Sequence, residues 1–234
     1  MSVTSPRIPT ATATDRPWLV PGARIAAIGG PLVLVVCNAL VNFTPGWATV
    51  ESTAQSVDVI RANPGIAEWV VATGVLAVVL LVPGIWAVAA RLAPRSPVLA
   101  AIGAWLMATG YILSTVLSFT TLQTLYLAQT DVDVAEVGAQ LDAQVSWVSI
   151  VVSACFAFGA LGGGIVLAIA MLRQRAVVPL WAGLLLLLSE PVRMAGLILG
   201  LPVGPPLASL FITVAFAVVI LRLPEVREAA RPSS

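Results

Sequence analysis

Six long apolar stretches restrict the fold of this chain more than any other feature of its sequence. They cover about residues 25–44, 69–90, 97–121, 147–171, 178–200 and 203–222. A helix needs about 20 mostly apolar residues to cross the hydrocarbon core of a bilayer. Because backbone N–H and C=O groups cannot remain unpaired in lipid, each stretch is predicted to be helical. We expect an all-α bundle of six transmembrane helices over 22–222, between a disordered tail at 1–21 and a polar tail at 223–234.

The composition excludes several classes of protein. Of the 234 residues, 59% are hydrophobic and 10% are charged, whereas an ordinary soluble domain is about 25% charged. These values exclude a soluble enzyme, a disordered chain and a basic nucleic-acid binder. The chain has no histidine, which excludes histidine metal sites and Ser-His or Cys-His catalytic pairs. We expect no metal and no cofactor, and we predict that Cys37 and Cys155, both in apolar stretches, are free thiols.

The arginines predict the orientation of the six helices. Ten of the twelve, all except Arg61 and Arg193, fall on the side of the two termini if the helices alternate in direction. The opposite loops, 45–68 and 122–146, hold one arginine and seven acidic residues. The positive-inside rule then predicts a multi-pass protein of the inner (cytoplasmic) membrane with both termini in the cytoplasm.

The two outer loops are predicted to contain short amphipathic helices. Apolar residues recur at helical spacing in 50–62 and again in 132–145. Each helix is either a connector on the outer surface or a lid over a cavity. The interfacial tryptophans are expected to form an aromatic belt, whereas Trp105 lies deeper in its stretch and is predicted to face protein.

An ionisable pair near the middle of the fifth stretch is the strongest indication of a site. Glu190 and Arg193 are three residues apart, so they lie on one helical face and can form an ion pair. Pro191 removes a backbone donor at the same place. Such a pair at mid-membrane is typical of a binding or relay site, but a structural ion pair between helices explains it equally well. In both cases the two side chains should face the bundle interior.

Other polar residues within the stretches are candidates for lining the same cavity. Asn38 and Asn42 lie four apart on one face, and are either interhelical glue or part of the cavity. Ser189 and Trp105 are further candidates for its lining. The Ser/Thr-rich end of the third stretch is predicted to satisfy its own helix carbonyls. The glycine pairs 159/163 and 196/200 predict close helix packing, within the chain or across a homodimer.

Three short segments resemble those of a known family. They are Ala23-Arg24-Ile25-Ala26, Asn63-Pro64, and the run from Arg173 to Trp181 that reads R-Q-R-A-V-V-P-L-W. Over 22–222 the chain resembles an uncharacterised bacterial family of six-helix integral membrane proteins, defined only as a domain of unknown function. The resemblance implies a bacterial membrane protein and carries over neither an activity nor a catalytic residue.

Three functions are compatible with these features. The first is a carrier for a small solute or lipophile, with Glu190 and Arg193 as its site. The second is a non-catalytic sensor or accessory subunit that binds another membrane protein. The third is an intramembrane enzyme acting on a lipid or isoprenoid. A carrier predicts a cavity that reaches Glu190 from one side, and the expected partners are the lipid bilayer, a small hydrophobic or ionic ligand, and a second copy or membrane protein, but no nucleic acid.

Overall fold

A computed structural model describes residues 19–130, 132–144 and 146–223. Asp131 and most of both predicted tails, with the arginines before residue 19 and after residue 223, lie outside these residues. Within them the regular structure is helical, without strands. The α-helices are α1 Leu19–Phe43, α2 Thr53–Ala62, α3 Pro64–Leu92, α4 Pro97–Leu113, α5 Thr115–Ala128, α6 Val134–Ala143, α7 Trp147–Leu172, α8 Leu180–Ile198 and α9 Gly204–Arg222.

Six spans in the described part of the chain are long and apolar enough to cross a membrane. They are α1, α3, the continuous path of α4 and α5, α7, α8 and α9. The predicted all-α bundle with six membrane helices is therefore confirmed, and the protein is indicated to be a multi-pass membrane protein. We call the end of the bundle that carries the start of α1 and the end of α9 the terminus side, and the opposite end, with α2 and α6, the loop side.

Helix starts and turns follow from local sequence chemistry. Pro64 and Pro97 begin α3 and α4, where a residue without an N–H is tolerated because the first helical N–H groups have no partner within the helix. The Asp133 carboxylate accepts from the N–H groups of Ala135 and Glu136 and so caps α6. At the turn between α8 and α9, Gly200 adopts a φ of 64°, a conformation that glycine adopts without steric cost.

Small residues allow the long helices to approach closely. A methyl group at Gly110 of α4 would overlap the backbone of Gly159 and Ala160 in α7, and one at Gly163 would overlap Met107. Gly196 of α8 packs in the same way against Gly204 of α9. Of the four glycines predicted to allow close packing, Gly159, Gly163 and Gly196 do so within the chain. Gly200 instead belongs to the turn.

The third span is longer than predicted and is bent. It continues to Ala128 instead of ending near residue 121, with a break between α4 and α5 at Ser114. There the hydroxyl groups of Ser114 and Thr115 donate to the carbonyls of Tyr111 and Ile112, at 2.7 and 2.6 Å. Such bonds compete with the helix ladder and bend it. The polar hydroxyls also lower the hydropathy of this stretch, which is why the sequence pattern ends early.

The two predicted outer helices are present on the loop side and are joined to each other. The Thr53 hydroxyl of α2 donates to the Asp142 carboxylate of α6 at 2.6 Å. The Arg61 Nε donates to the Ala128 carbonyl at the end of α5, at 3.2 Å. Val57 and Ile60 of α2 are buried, so α2 packs onto the bundle instead of extending into solvent.

A buried arginine joins the helix ends on the terminus side. The Arg91 Nη1 donates to the carbonyls of Ile220 and Leu223 at 2.5 and 2.6 Å. The Gln174 Nε2 donates to the Leu92 carbonyl at 2.8 Å. The Arg91 bonds satisfy carbonyls at the end of α9, and together with the Gln174 bond they tie the end of α3 to α9 and to the α7–α8 turn.

Candidate ligand-binding site

The predicted ion pair forms near the middle of α8. The Arg193 Nε lies 3.0 Å from the Glu190 Oε2, and the two side chains are 15% and 9% exposed. The prediction that both residues pair and face the interior is therefore confirmed. Helix α8 remains continuous through Pro191, so the proline opens the backbone ladder by one donor without ending the helix.

Ser209 of α9 connects the ion pair to the first helix. Its hydroxyl oxygen accepts from the Asn38 Nδ2 at 2.8 Å and from the Arg193 Nη2 at 3.3 Å, and it donates to the Pro205 carbonyl at 3.2 Å. Ser209 was not predicted from the sequence. The available signal was that Ser209 and Thr213, four residues apart, are the hydroxyl residues of an otherwise apolar span.

Two buried polar atoms at the pair make no hydrogen bond of good geometry with a described residue, although their side chains lie within contact distance of each other. They are the Glu190 Oε1 and the Tyr111 hydroxyl. Glu190 is 7% exposed and Tyr111 is 3% exposed, and Tyr111 lies close enough to interact electrostatically with both Glu190 and Arg193. A buried polar group without a partner costs about 1–3 kcal/mol. The sequence analysis also missed Tyr111, although a tyrosine deep in an apolar stretch normally needs a partner for its hydroxyl.

A cavity of about 390 Å³ extends from this pair to the loop side. Glu190, Arg193 and Tyr111 line its deep end, and Trp47, Ser56 and Ile60 line it near the loop side. Ser56 and Ile60 belong to α2, so the outer helix covers this end of the cavity. The volume falls within the range of about 300–1,000 Å³ that is typical of small-molecule sites.

Hydroxyl groups form one wall of the cavity, and most of their hydrogens are already donated to the backbone. Thr120, Thr121 and Thr124 of α5 line the cavity, and each donates to the carbonyl four residues before it, at 2.9–3.0 Å. The prediction that the Ser/Thr-rich end of this span satisfies its own helix carbonyls is confirmed for Ser114, Thr115, Thr120 and Thr121. It is not confirmed for Ser118, whose hydroxyl donates to no carbonyl among the described residues. The hydroxyl oxygens of this wall still present lone pairs to the cavity, because a hydroxyl that donates one hydrogen bond can also accept.

The structure separates the other candidate residues. Asn38 lines the cavity, whereas Asn42, Ser189 and Trp105 are not among its lining residues. The Asn42 Nδ2 donates to the Asn38 carbonyl at 2.8 Å, and the Ser189 hydroxyl donates to the Leu186 carbonyl at 2.7 Å. The prediction for Trp105 was wrong. Its side chain is 61% exposed, because the opposite face of α4 packs against α7 and the indole points away from the bundle.

No group of three or more cysteine, aspartate or glutamate side chains that could hold a metal ion occurs in the described ranges. Fold and site together define a multi-pass α-helical membrane protein with an internal cavity that ends on a buried Glu–Arg pair. No family model matches the chain, and no curated protein or solved structure matches it.

Proposed function

We propose that this protein is a carrier that binds a small solute or lipophile in the cavity between Glu190 and the loop side. The observation that carries the proposal is the cavity itself, which reaches a buried ion pair from one end of the bundle. A carrier needs such a path, whereas an ion pair that only locks helices together does not.

The unpartnered atoms favour a binding role over a purely structural one. A structural pair is stable when every donor and acceptor around it is satisfied. Here the Glu190 Oε1 and the Tyr111 hydroxyl make no hydrogen bond of good geometry, beyond the contact of the two side chains with each other, and both residues line the cavity. A ligand that bonds to both atoms would remove their desolvation cost of about 1–3 kcal/mol each. The free energy of that compensation would favour the bound state.

The proposal includes an orientation in a bacterial inner membrane. Among the described residues, Arg24, Arg95 and Arg222 belong to the terminus side, and the loop side holds Arg61 with Asp58, Glu136 and other acids. By the positive-inside rule both termini are cytoplasmic. The cavity then extends toward the external side, where α2 would act as its lid. This assignment agrees with the resemblance to bacterial six-helix proteins, which itself remains a proposal.

Native mass spectrometry of protein extracted in mild detergent tests the proposal. We compare the wild type with Glu190→Gln and with Glu136→Gln, the same substitution at an exposed position of α6 that does not line the cavity. The expected result is a bound small mass in the wild type and in Glu136→Gln, with reduced occupancy in Glu190→Gln. Flux of the identified compound into proteoliposomes then tests carriage directly.

The other outcomes favour the alternative functions. Identical spectra for all three proteins, without a bound species or with the same lipids, would overturn the carrier and favour an accessory subunit. Co-purification of a second membrane protein in defined ratio would support the accessory role directly. A bound lipid that changes mass with time would favour an intramembrane enzyme, with Glu190 and Tyr111 as the groups that exchange protons.

A further inference from the structure

The lining of the cavity limits the chemistry of its ligand, and this inference rests on the proposed function. Among the described residues that line the cavity, Glu190 and Arg193 are the charged ones, and they neutralise each other. The remaining polar lining consists of hydroxyl, amide, thiol and indole N–H groups. A ligand with a net charge would therefore bring an uncompensated charge into a region of low dielectric, which is unfavourable.

Many of the polar atoms that remain free are acceptors, although the Ser118 hydroxyl and the Trp47 indole N–H, which also line the cavity, donate to no described residue. The Glu190 Oε1 is a carboxylate oxygen without a partner and can only accept. The hydroxyl hydrogens of Ser114, Thr120, Thr121, Thr124 and Ser56 are all donated to backbone carbonyls. These five oxygens can accept further hydrogen bonds but have no hydrogen left to give.

The deep end also offers donors. The Tyr111 hydroxyl makes no hydrogen bond of good geometry, only a contact with Glu190 that a ligand could replace. A guanidinium carries five N–H donors, of which two bond to Glu190 and Ser209 in Arg193. Apolar residues, including Leu34, Val78 and Phe156, form the rest of the lining. The site therefore suits a ligand with an apolar body and one polar end, which donates a hydrogen bond to Glu190 and accepts one from Tyr111 or Arg193.

We infer that the ligand is a small neutral molecule with an apolar body and an O–H or N–H donor, such as an alcohol or an amide. A hydroxyl group meets the requirement of the deep end because it donates one hydrogen bond and accepts others. An ether of the same shape lacks the donor, while an ammonium or a carboxylate carries a charge that the site does not balance.

Four probes with the same body test this inference by their effect on the thermal unfolding of the purified protein. They are 3-phenylpropanol, its methyl ether, 3-phenylpropylammonium and 3-phenylpropionate. The alcohol should raise the melting temperature of the wild type in a saturable manner. The ether should bind roughly 10-fold to 100-fold more weakly, which is the effect of one hydrogen bond to a charged group. Both ions should also bind more weakly than the alcohol.

Two variants are expected to change which charged probe the cavity binds. Glu190→Gln keeps the shape but leaves Arg193 unbalanced, so 3-phenylpropionate should bind more tightly to it than to the wild type. Arg193→Gln leaves Glu190 unbalanced and should instead favour 3-phenylpropylammonium. Glu136→Gln, away from the cavity, should retain the preference of the wild type. Each shift is measured against the same protein without probe, so a change in the stability of a variant does not affect the comparison.

The possible results distinguish the ligand class from the proposed function. Equal binding of ether and alcohol would refute the need for a donor, and tighter binding of either ion to the wild type would refute the neutral ligand, but both would leave a binding cavity in place. If no probe binds while the native spectrum shows a bound mass, the ligand class is wrong and the carrier stands. If neither probe nor native mass is bound, the carrier proposal fails as well.

Discussion

Replacing one residue of the α8 ion pair should destabilise the bundle more than replacing both residues. Glu190→Leu leaves the Arg193 guanidinium buried with Ser209 as its remaining partner, and Arg193→Leu leaves a buried carboxylate. Each single change is expected to lower the free energy of unfolding by about 3–5 kcal/mol, because it strands a buried charge. The double variant buries leucines instead and should cost no more than about 1–2 kcal/mol. The coupling energy is then at least about 4 kcal/mol.

The assay is a double-mutant cycle on the free energy of unfolding in mixed micelles, with refolding checked at each point. The matched control is the pair Asp58–Arg61 on α2, which has the same three-residue spacing and a 4.0 Å separation, but side chains that are 76% and 41% exposed. Alanine substitutions there should show a coupling of about 0–1 kcal/mol. If the cycle at Glu190 and Arg193 gives a coupling as small as that of the control, the pair is solvated or faces lipid and our placement is refuted.

Three other substitutions test the packing and the lid. Gly163→Ala should lower the free energy of unfolding by about 1–3 kcal/mol, because the added methyl group overlaps Met107. The control Gly162→Ala, whose methyl group meets nothing within 4 Å, should be neutral or stabilising by up to about 1 kcal/mol. Equal losses of stability in the two variants would refute the close approach of α7 to α4. Arg91→Met should lower the free energy of unfolding by about 2–4 kcal/mol, because the carbonyls of Ile220 and Leu223 lose their donor. Arg95→Met, at an exposed position, should have no measurable effect in the same unfolding assay. Asp142→Ala should speed maleimide labelling of Cys37 in a Cys155→Ser background, since it releases α2 from α6, and an unchanged rate would argue against α2 as a lid.

The features that depend on neighbouring residues in sequence were predictable. Helix existence follows from the length of each apolar stretch, and the Glu190–Arg193 pair follows from the geometry of one helix turn. The outer helices were found because the apolar residues of α2 recur at helical spacing. The predicted end of the third span was wrong because polar side chains there lower the hydropathy without ending the helix. The span is helical to Ala128, and its hydroxyl groups bond to carbonyls of the same helix.

The features that depend on helix packing could not be predicted. Depth along a stretch gives no information on which face meets a neighbour, and Trp105 was placed on the wrong face for that reason. Ser209 and Tyr111 are ordinary residues in their own spans. They become part of the site because α9 packs beside α8, and because α4, which packs on α7, brings Tyr111 to the depth of Glu190. No local pattern in the sequence specifies that arrangement.

A structural and a binding role for the ion pair are compatible, and the choice of substitution separates them. Leucine at position 190 removes both the charge and the hydrogen-bonding oxygens, so it tests the contribution to stability. Glutamine keeps an oxygen that can accept from Arg193 and keeps the volume, so most of the packing survives while the charge that a donor ligand would contact is lost. A Glu190→Gln protein that folds nearly as well as the wild type and yet loses its ligand would show that the Oε1 oxygen, which has no partner in the fold, belongs to the binding site. If stability and binding instead decrease together in Glu190→Gln, the main role of the carboxylate is to stabilise the fold, and the shape of the cavity depends on that stabilisation.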